Sequence, residues 1–216
     1  MRSGGRGRVR AWVDRVAFEC VRRGVGAVFC LYFGLRVEGR VPVRGPLVLI
    51  ANHASFLDSL LVGVVARRPV RFLMTDLYAN VRGMRWFLRW RGVIFVREDG
   101  KHRKSMLQQA IRALRDGEVI GIFPEGEISS DGQLLELQPG AVALALRAGV
   151  DVVPIGISGA YAALPRHRWF PRPAKIRVRI GRPIPAEDLQ PRAMSRPKRL
   201  EFGRARLRRA LASLVG

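Results

Sequence analysis

In the stretch IANHASFLD, residues 50–58, a histidine and an aspartate stand with four residues between them, directly after the apolar run PLVLIA. Histidine titrates near neutral pH, and a carboxylate that holds its Nδ1 proton leaves Nε2 free to take a proton from a reacting group. His53 and Asp58 would then form two parts of a Ser-His-Asp triad, and a nucleophile is wanted. The nearest candidate is GISGA, residues 156–160, which departs from the G-x-S-x-G elbow only at Ala160. Its chain order fails, because no acid lies between Ser158 and His167 and His53 precedes both. A substrate hydroxyl is the better nucleophile. A purely structural reading of Asp58 stands beside this one: Ser55 and Asp58 have the spacing of a helix capping box, in which the carboxylate satisfies free amides at a helix start.

These side chains need elements to place them. From residue 47 onward short apolar runs alternate with longer amphipathic ones. PLVLIA, VRFLM, GVIFV, EVIGIFP and VVPIGIS read as strands, while SFLDSLLVGVVA, LYANVRGMRWFLRW, a segment from about Lys101 to Arg115 and GAVALALRAG read as helices. Gly117 is the stop for the third helix. The alternation predicts an α/β fold, a mostly parallel sheet flanked by helices, with its ligand site beyond the carboxyl ends of the strands. His53, Arg97 and Glu125 each follow such an end. KIRVRIGRPI reads as a later strand near an edge, and RPKRLEFGRARLRRALASLVG as a basic amphipathic helix.

The chain has 216 residues, without repeats or low-complexity linkers, and is expected to form one domain with terminal additions. Residues 1–35 are a basic and apolar segment, 36–190 the α/β domain, and 191–216 a C-terminal helix belonging to the same domain. Net charge is +22, and all but four of the 39 basic residues are arginine. Such a surface seeks anions, and charge alone admits either nucleic acid or an anionic membrane. No helix-turn-helix, zinc, RRM or KH signature supports nucleic acid, and the basic residues are dispersed through the β/α pattern. Cys20 and Cys30 match no metal-ligand spacing. They are expected to be small buried residues in a reducing compartment.

The N-terminal stretch superficially resembles a signal peptide, but Asp14, Arg15, Glu19, Arg22 and Arg23 precede its apolar part and no small-residue cleavage site follows. Cleavage is not expected. The uncharged run from Gly24 to Leu35 is too short for the roughly 20 residues of a spanning helix. An interfacial helix fits better, with Trp12, Val13, Val16, Phe18, Val25, Phe29, Tyr32 and Phe33 entering the acyl boundary and arginines meeting headgroups. The competing reading is a helix that covers the core.

Taken in order, NHASFLD, GVIFVRED, FPEGEIS and VVPIGISG resemble the four motif blocks of the glycerolipid acyltransferases, the lysophosphatidic acid acyltransferase group. The resemblance covers roughly residues 35–185. It implies that His53 deprotonates a lysophospholipid hydroxyl and Asp58 orients it. The acyl group would arrive as a thioester on coenzyme A or acyl carrier protein, with no further cofactor and no metal. Arg97 would help hold the lipid phosphate, and Glu125 with Gly126 would shape the acceptor site. The protein is expected at the cell membrane, peripheral or monotopic on the cytoplasmic face, with no nucleic acid as partner. A non-catalytic lipid-binding relative would lack His53 or Asp58, and both are present.

Departures from the family pattern bear on the acceptor. Where members that make phosphatidic acid read Glu-Gly-Thr-Arg, this chain has Glu125, Gly126, Glu127 and Ile128. Gln138 stands where those members tend to carry lysine, and LMTDL lacks a lysine often found there. A phosphomonoester carries close to two negative charges and a diester only one, so the pattern shifts the expectation toward a larger head group, with lysophosphatidic acid still open. Arg91 or Arg166 could replace the missing cation.

Overall fold

Every residue of LVLIA is apolar because both faces of this strand are covered. Leu47, Leu49 and Ala51 point into one buried cluster, Val48 and Ile50 into another, as a period of two requires. The computed structural model describes residues 4–75, 94–96, 100–190 and 195–215. Helix α1 is Gly4–Phe33, strand β1 Arg36–Glu38, β2 Leu47–Ala51, α2 Asp58–Ala66, β3 Val70–Thr75 and β4 Ile94–Val96. Then follow α3 Gly100–Arg115, β5 Val119–Ile122, α4 Gly140–Ala148, β6 Val152–Ser158, the short α5 Ala160–Ala163, β7 Arg177–Ile180, a 3-10 turn Ala186–Leu189 and α6 Arg196–Val215. The segment LYANVRGMRWFLRW lies outside the described residues.

Among the described residues seven strands form one sheet in the order β1-β7-β6-β2-β5-β3-β4. All pairings are parallel except β6 with β7. The expected α/β class is therefore observed. From β2 the chain crosses to β3 by way of α2, and from β5 it returns to β6 by way of α4, with the two helices on opposite faces. The loops leaving β2 and β5 thus part at the centre of the sheet, where doubly wound sheets hold their ligands. Because Ile50 is in register with Ile122, the residues that follow Ala51 and those that follow Ile122 emerge side by side.

KIRVRIGRPI proves to lie one strand in from the edge. The three-residue β1 covers it, and Glu38 on β1 sits 3.6 Å from Arg177 and 3.4 Å from Arg179. A short edge strand with charged side chains blunts further pairing. The C-terminal α6 packs on the sheet through Leu207 and Leu211 and is part of the same core. Gly203 permits its close approach, since a Cβ there would overlap Val142.

Helix α1 departs from the interfacial expectation. Phe18, Phe29 and Phe33 are buried and Val25 is partly so, on a face that Arg22 and Gly26 extend at helical spacing. Gly26 meets Val64 of α2, and Arg22 donates to the Val64 carbonyl at 3.5 Å. Phe29 and Phe33 join the buried cluster on this face of the sheet, with Val25 packed against it. The opposite face carries Val21, Val28 and Leu31, the last 88% exposed, with Val16 and Tyr32 also exposed. Trp12 and Val13 have no described side chains. Cys20 and Cys30 are exposed on α1, contrary to the expectation that they are buried, because the core-facing positions are taken by the phenylalanines. No described helix is long and apolar enough to cross a membrane.

Candidate active site

After Ala51 the chain turns through Asn52, His53, Ala54 and Ser55 before α2 begins, and each of these residues is tied down. Asn52 is buried and bridges to β6: its Nδ2 donates to the Ile157 carbonyl at 2.9 Å, and its Oδ1 accepts the Ile157 N–H at 2.7 Å. The side chain thereby continues the β2–β6 pairing where the backbones diverge. Ser55 donates through Oγ to the Leu164 carbonyl at 2.7 Å and accepts the Leu57 N–H at 3.1 Å.

Asp58 is fully buried at the first residue of α2. Its Oδ2 lies 3.0 Å from His53 Nδ1 and also accepts the Ala54 and Ser55 N–H groups, each at 2.7 Å. One oxygen therefore orients the histidine and also ties down the loop before α2, whose N-cap residue, Leu57, has no side-chain cap. An oxygen already accepting two amides has no proton to give, so the shared proton belongs to His53 Nδ1 and the lone pair is left on Nε2. Burial pushes the Asp58 carboxyl upward, against the His53 bond and the two amides that pull it down. Asp58 Oδ1 is buried without a hydrogen-bond partner.

Glu125 closes the other side. It is buried just past β5, with Oε1 accepting the His53 N–H at 2.6 Å and Oε2 accepting the Leu135 N–H at 2.8 Å. Burial raises this carboxyl, opposed by the same two amides. The His53 carbonyl accepts the Ser129 N–H at 2.8 Å, so FPEGEIS grips the histidine backbone at both its donor and its acceptor. The imidazole stacks on Phe123 with ring centroids 4.0 Å apart. Gly126 has φ +82°, a turn conformation that favours glycine.

His53, Asp58, Glu125 and Gly126 are thus gathered at the ends of β2 and β5. Arg97 lies outside the described residues. Glu127 and Ile128 occupy the positions where family members that make phosphatidic acid read Thr-Arg. Glu127 is exposed, whereas Ile128 is buried. Arg166 approaches this block, with Nη1 3.5 Å from the Ile128 carbonyl. Ser158 ends β6 just before Gly159, whose φ of +85° and contact with the Lys175 carbonyl leave no room for a Cβ. That pair serves the turn into α5.

A family model described as Acyltransferase matches residues 34–158, more than half of the chain. The chain belongs to the Acyltransferase family. It is similar to the 1-acyl-sn-glycerol-3-phosphate acyltransferase alpha of Mus musculus, 31% identical over 168 residues, covering 74% of this chain and 58% of that protein. It is also similar to the lyso-ornithine lipid O-acyltransferase of Pseudomonas aeruginosa, 34% identical over 131 residues, covering 59% of this chain and 48% of that protein. The chain spans about half the length of the curated relatives it matches. Among solved structures it superposes on the 1-acyl-sn-glycerophosphate acyltransferase PlsC of Thermotoga maritima with a TM-score of 0.77 at 23% identity. That match covers 99% of this chain and 83% of the other, and it establishes a shared fold.

Three supports of this candidate site were not anticipated from the sequence: the Asn52 bridge, the Phe123 stack and the double grip of Glu125. Asn52 adjoins His53 and was available as a signal. Phe123 and Glu125 come within reach only through the β2–β5 register.

Proposed function

We propose that the chain transfers a fatty acyl group from a thioester, carried on coenzyme A or acyl carrier protein, to a free hydroxyl of a lysophospholipid. The observation that carries this reading is the 3.0 Å contact between His53 Nδ1 and Asp58 Oδ2 at a strand end. His53 Nε2 takes the hydroxyl proton as the oxygen attacks the thioester carbonyl, and Asp58 stabilises the resulting imidazolium. Collapse of the tetrahedral intermediate breaks the carbon–sulfur bond, and the imidazolium returns its proton to the departing thiolate. An ester and a free thiol result. Glu125 acts as a positioning residue through the His53 backbone, and Arg97 is assigned to the lipid phosphate.

The acceptor is a lysolipid whose head group need not be a bare phosphate. The mouse relative is named for 1-acyl-sn-glycerol-3-phosphate and the Pseudomonas relative for a lyso-ornithine lipid, so family members differ in this respect. The exposed Glu127 carboxylate favours a head group with less negative charge than a phosphomonoester. The protein works at the cytoplasmic face of the cell membrane, held peripherally through the outward face of α1 and an arginine-rich surface.

Purified protein incubated with labelled acyl-CoA or acyl carrier protein and a panel of lysolipids tests both the reaction and its acceptor. Labelled diacyl product is expected with at least one lysolipid. Binding without acyl transfer across the panel would favour a non-catalytic lipid-binding protein.

A further inference from the structure

Between α5 and β7 the chain makes a closed excursion, LPRHRWFPRPA, whose tip carries the two most exposed aromatics among the described residues. Trp169 is 92% exposed and Phe170 83% exposed. The loop is built rather than slack. The Arg172 N–H donates to the Ala163 carbonyl at 2.8 Å across its base, and the Arg168 N–H donates to Pro165 at 3.0 Å within it. Pro165, Pro171 and Pro173 restrict its backbone further. Large apolar side chains held out into water cost free energy unless something covers them.

We propose that Trp169 and Phe170 form a wedge that inserts into an anionic lipid surface and seats the mouth of the site on it. Charge complementarity selects this occupant. Arg166, Arg168 and Arg172 are exposed around the two rings, matching the pairing of interfacial aromatics with headgroup-binding cations. A second copy of the chain would bring the same arginines and a net charge of +22 against them. The wedge continues a surface already present on α1: Tyr32 Oη donates to the Pro171 carbonyl at 3.3 Å, and Leu31 and Val28 are exposed beside Tyr32. Its base abuts the site. Leu164 accepts the Ser55 hydroxyl and Arg166 reaches Ile128, so the excursion is rooted on the loops that carry His53 and Glu125. The value of that placement for catalysis rests on the acyltransferase reading, whereas the insertion itself does not.

The test is partition of the full chain onto vesicles of equal parts phosphatidylcholine and phosphatidylglycerol, by sedimentation. The double variant Trp169→Ser/Phe170→Ser is expected to lower the partition coefficient about tenfold or more, since two large apolar contacts are withdrawn. Arg168→Gln should lower it by less and reduce its salt dependence. Quenching of tryptophan fluorescence by brominated acyl chains should diminish in Trp169→Phe. Turnover of a water-soluble short-chain acceptor should be unchanged in the double variant, which separates loss of membrane contact from loss of the chemistry. Partition of the double variant within twofold of wild type overturns the proposal. So does loss of a concentration-dependent dimer in that variant with vesicle binding retained, which would make the tip a self-association surface.

Discussion

The backbone N–H of His53 donates to Glu125 Oε1 at 2.6 Å, although 72 positions separate the two residues in the chain. The candidate base is therefore positioned at two independent points, its ring by Asp58 and its main chain by Glu125. Glu125→Gln tests the second point. Glutamine offers one acceptor oxygen and one amide donor, and that donor would face the N–H of either His53 or Leu135. Loss of about 1–3 kcal/mol of stability is expected from the unsatisfied pair. Turnover should fall with little change in thioester KM, as steady-state kinetics and denaturant titration would show. A Glu125→Gln protein with native rates would remove its positioning role.

His53→Ala should abolish most acyl transfer while leaving the fold intact. General-base loss typically costs about 10²–10⁴-fold. The bonds of the His53 backbone to Glu125 and Ser129 survive truncation of its ring. Circular dichroism beside the activity assay checks both halves, and near-native turnover would eliminate the mechanism.

Asp58 can be dissected by two substitutions. Asparagine can still accept the Ala54 and Ser55 amides, and its NH₂ would occupy the position of Oδ1, which has no partner now. Asp58→Asn should therefore fold yet lose turnover, because a neutral amide stabilises an imidazolium poorly. Asp58→Ala should in addition lose about 1–3 kcal/mol by stranding two buried amides. Full activity in Asp58→Asn would reduce Asp58 to a brace for the loop amides of Ala54 and Ser55.

On α1 the two faces should respond oppositely. Phe33→Ala removes a buried ring packed 5.3 Å from Phe29 and is expected to cost about 3–5 kcal/mol. Leu31→Asn on the outward face should leave thermal stability within about 0.5 kcal/mol and weaken binding to anionic vesicles. Unaltered vesicle binding in Leu31→Asn would return α1 to a purely structural role.

Head-group preference should respond to Glu127 alone. Glu127→Thr removes an exposed negative charge and is expected to lower the KM for lysophosphatidic acid relative to lysophosphatidylethanolamine. Ile128→Arg is the less informative change, because forcing a charge into a buried apolar position costs stability directly. Equal KM ratios in wild type and Glu127→Thr would show that this carboxylate does not sense the head group.

The alternation of apolar runs determined the α/β class, and the spacing of His53 and Asp58 at the end of PLVLIA marked a candidate site, because strand periodicity and the reach of a helix's first turn are local properties. Partners distant in sequence were decided elsewhere. The β2–β5 register brings Glu125 and Phe123 against His53, and no pattern within FPEGEIS specifies that register. Helix α1 makes the same point in reverse. Its aromatics and arginines read as an interfacial helix, yet which rings face the core depended on the packing against α2 and the sheet. Phe29 and Phe33 went inward, and Leu31 was left outside. Hydrophobicity is a property of the residue; the surface that satisfies it is chosen by the packing of the whole chain.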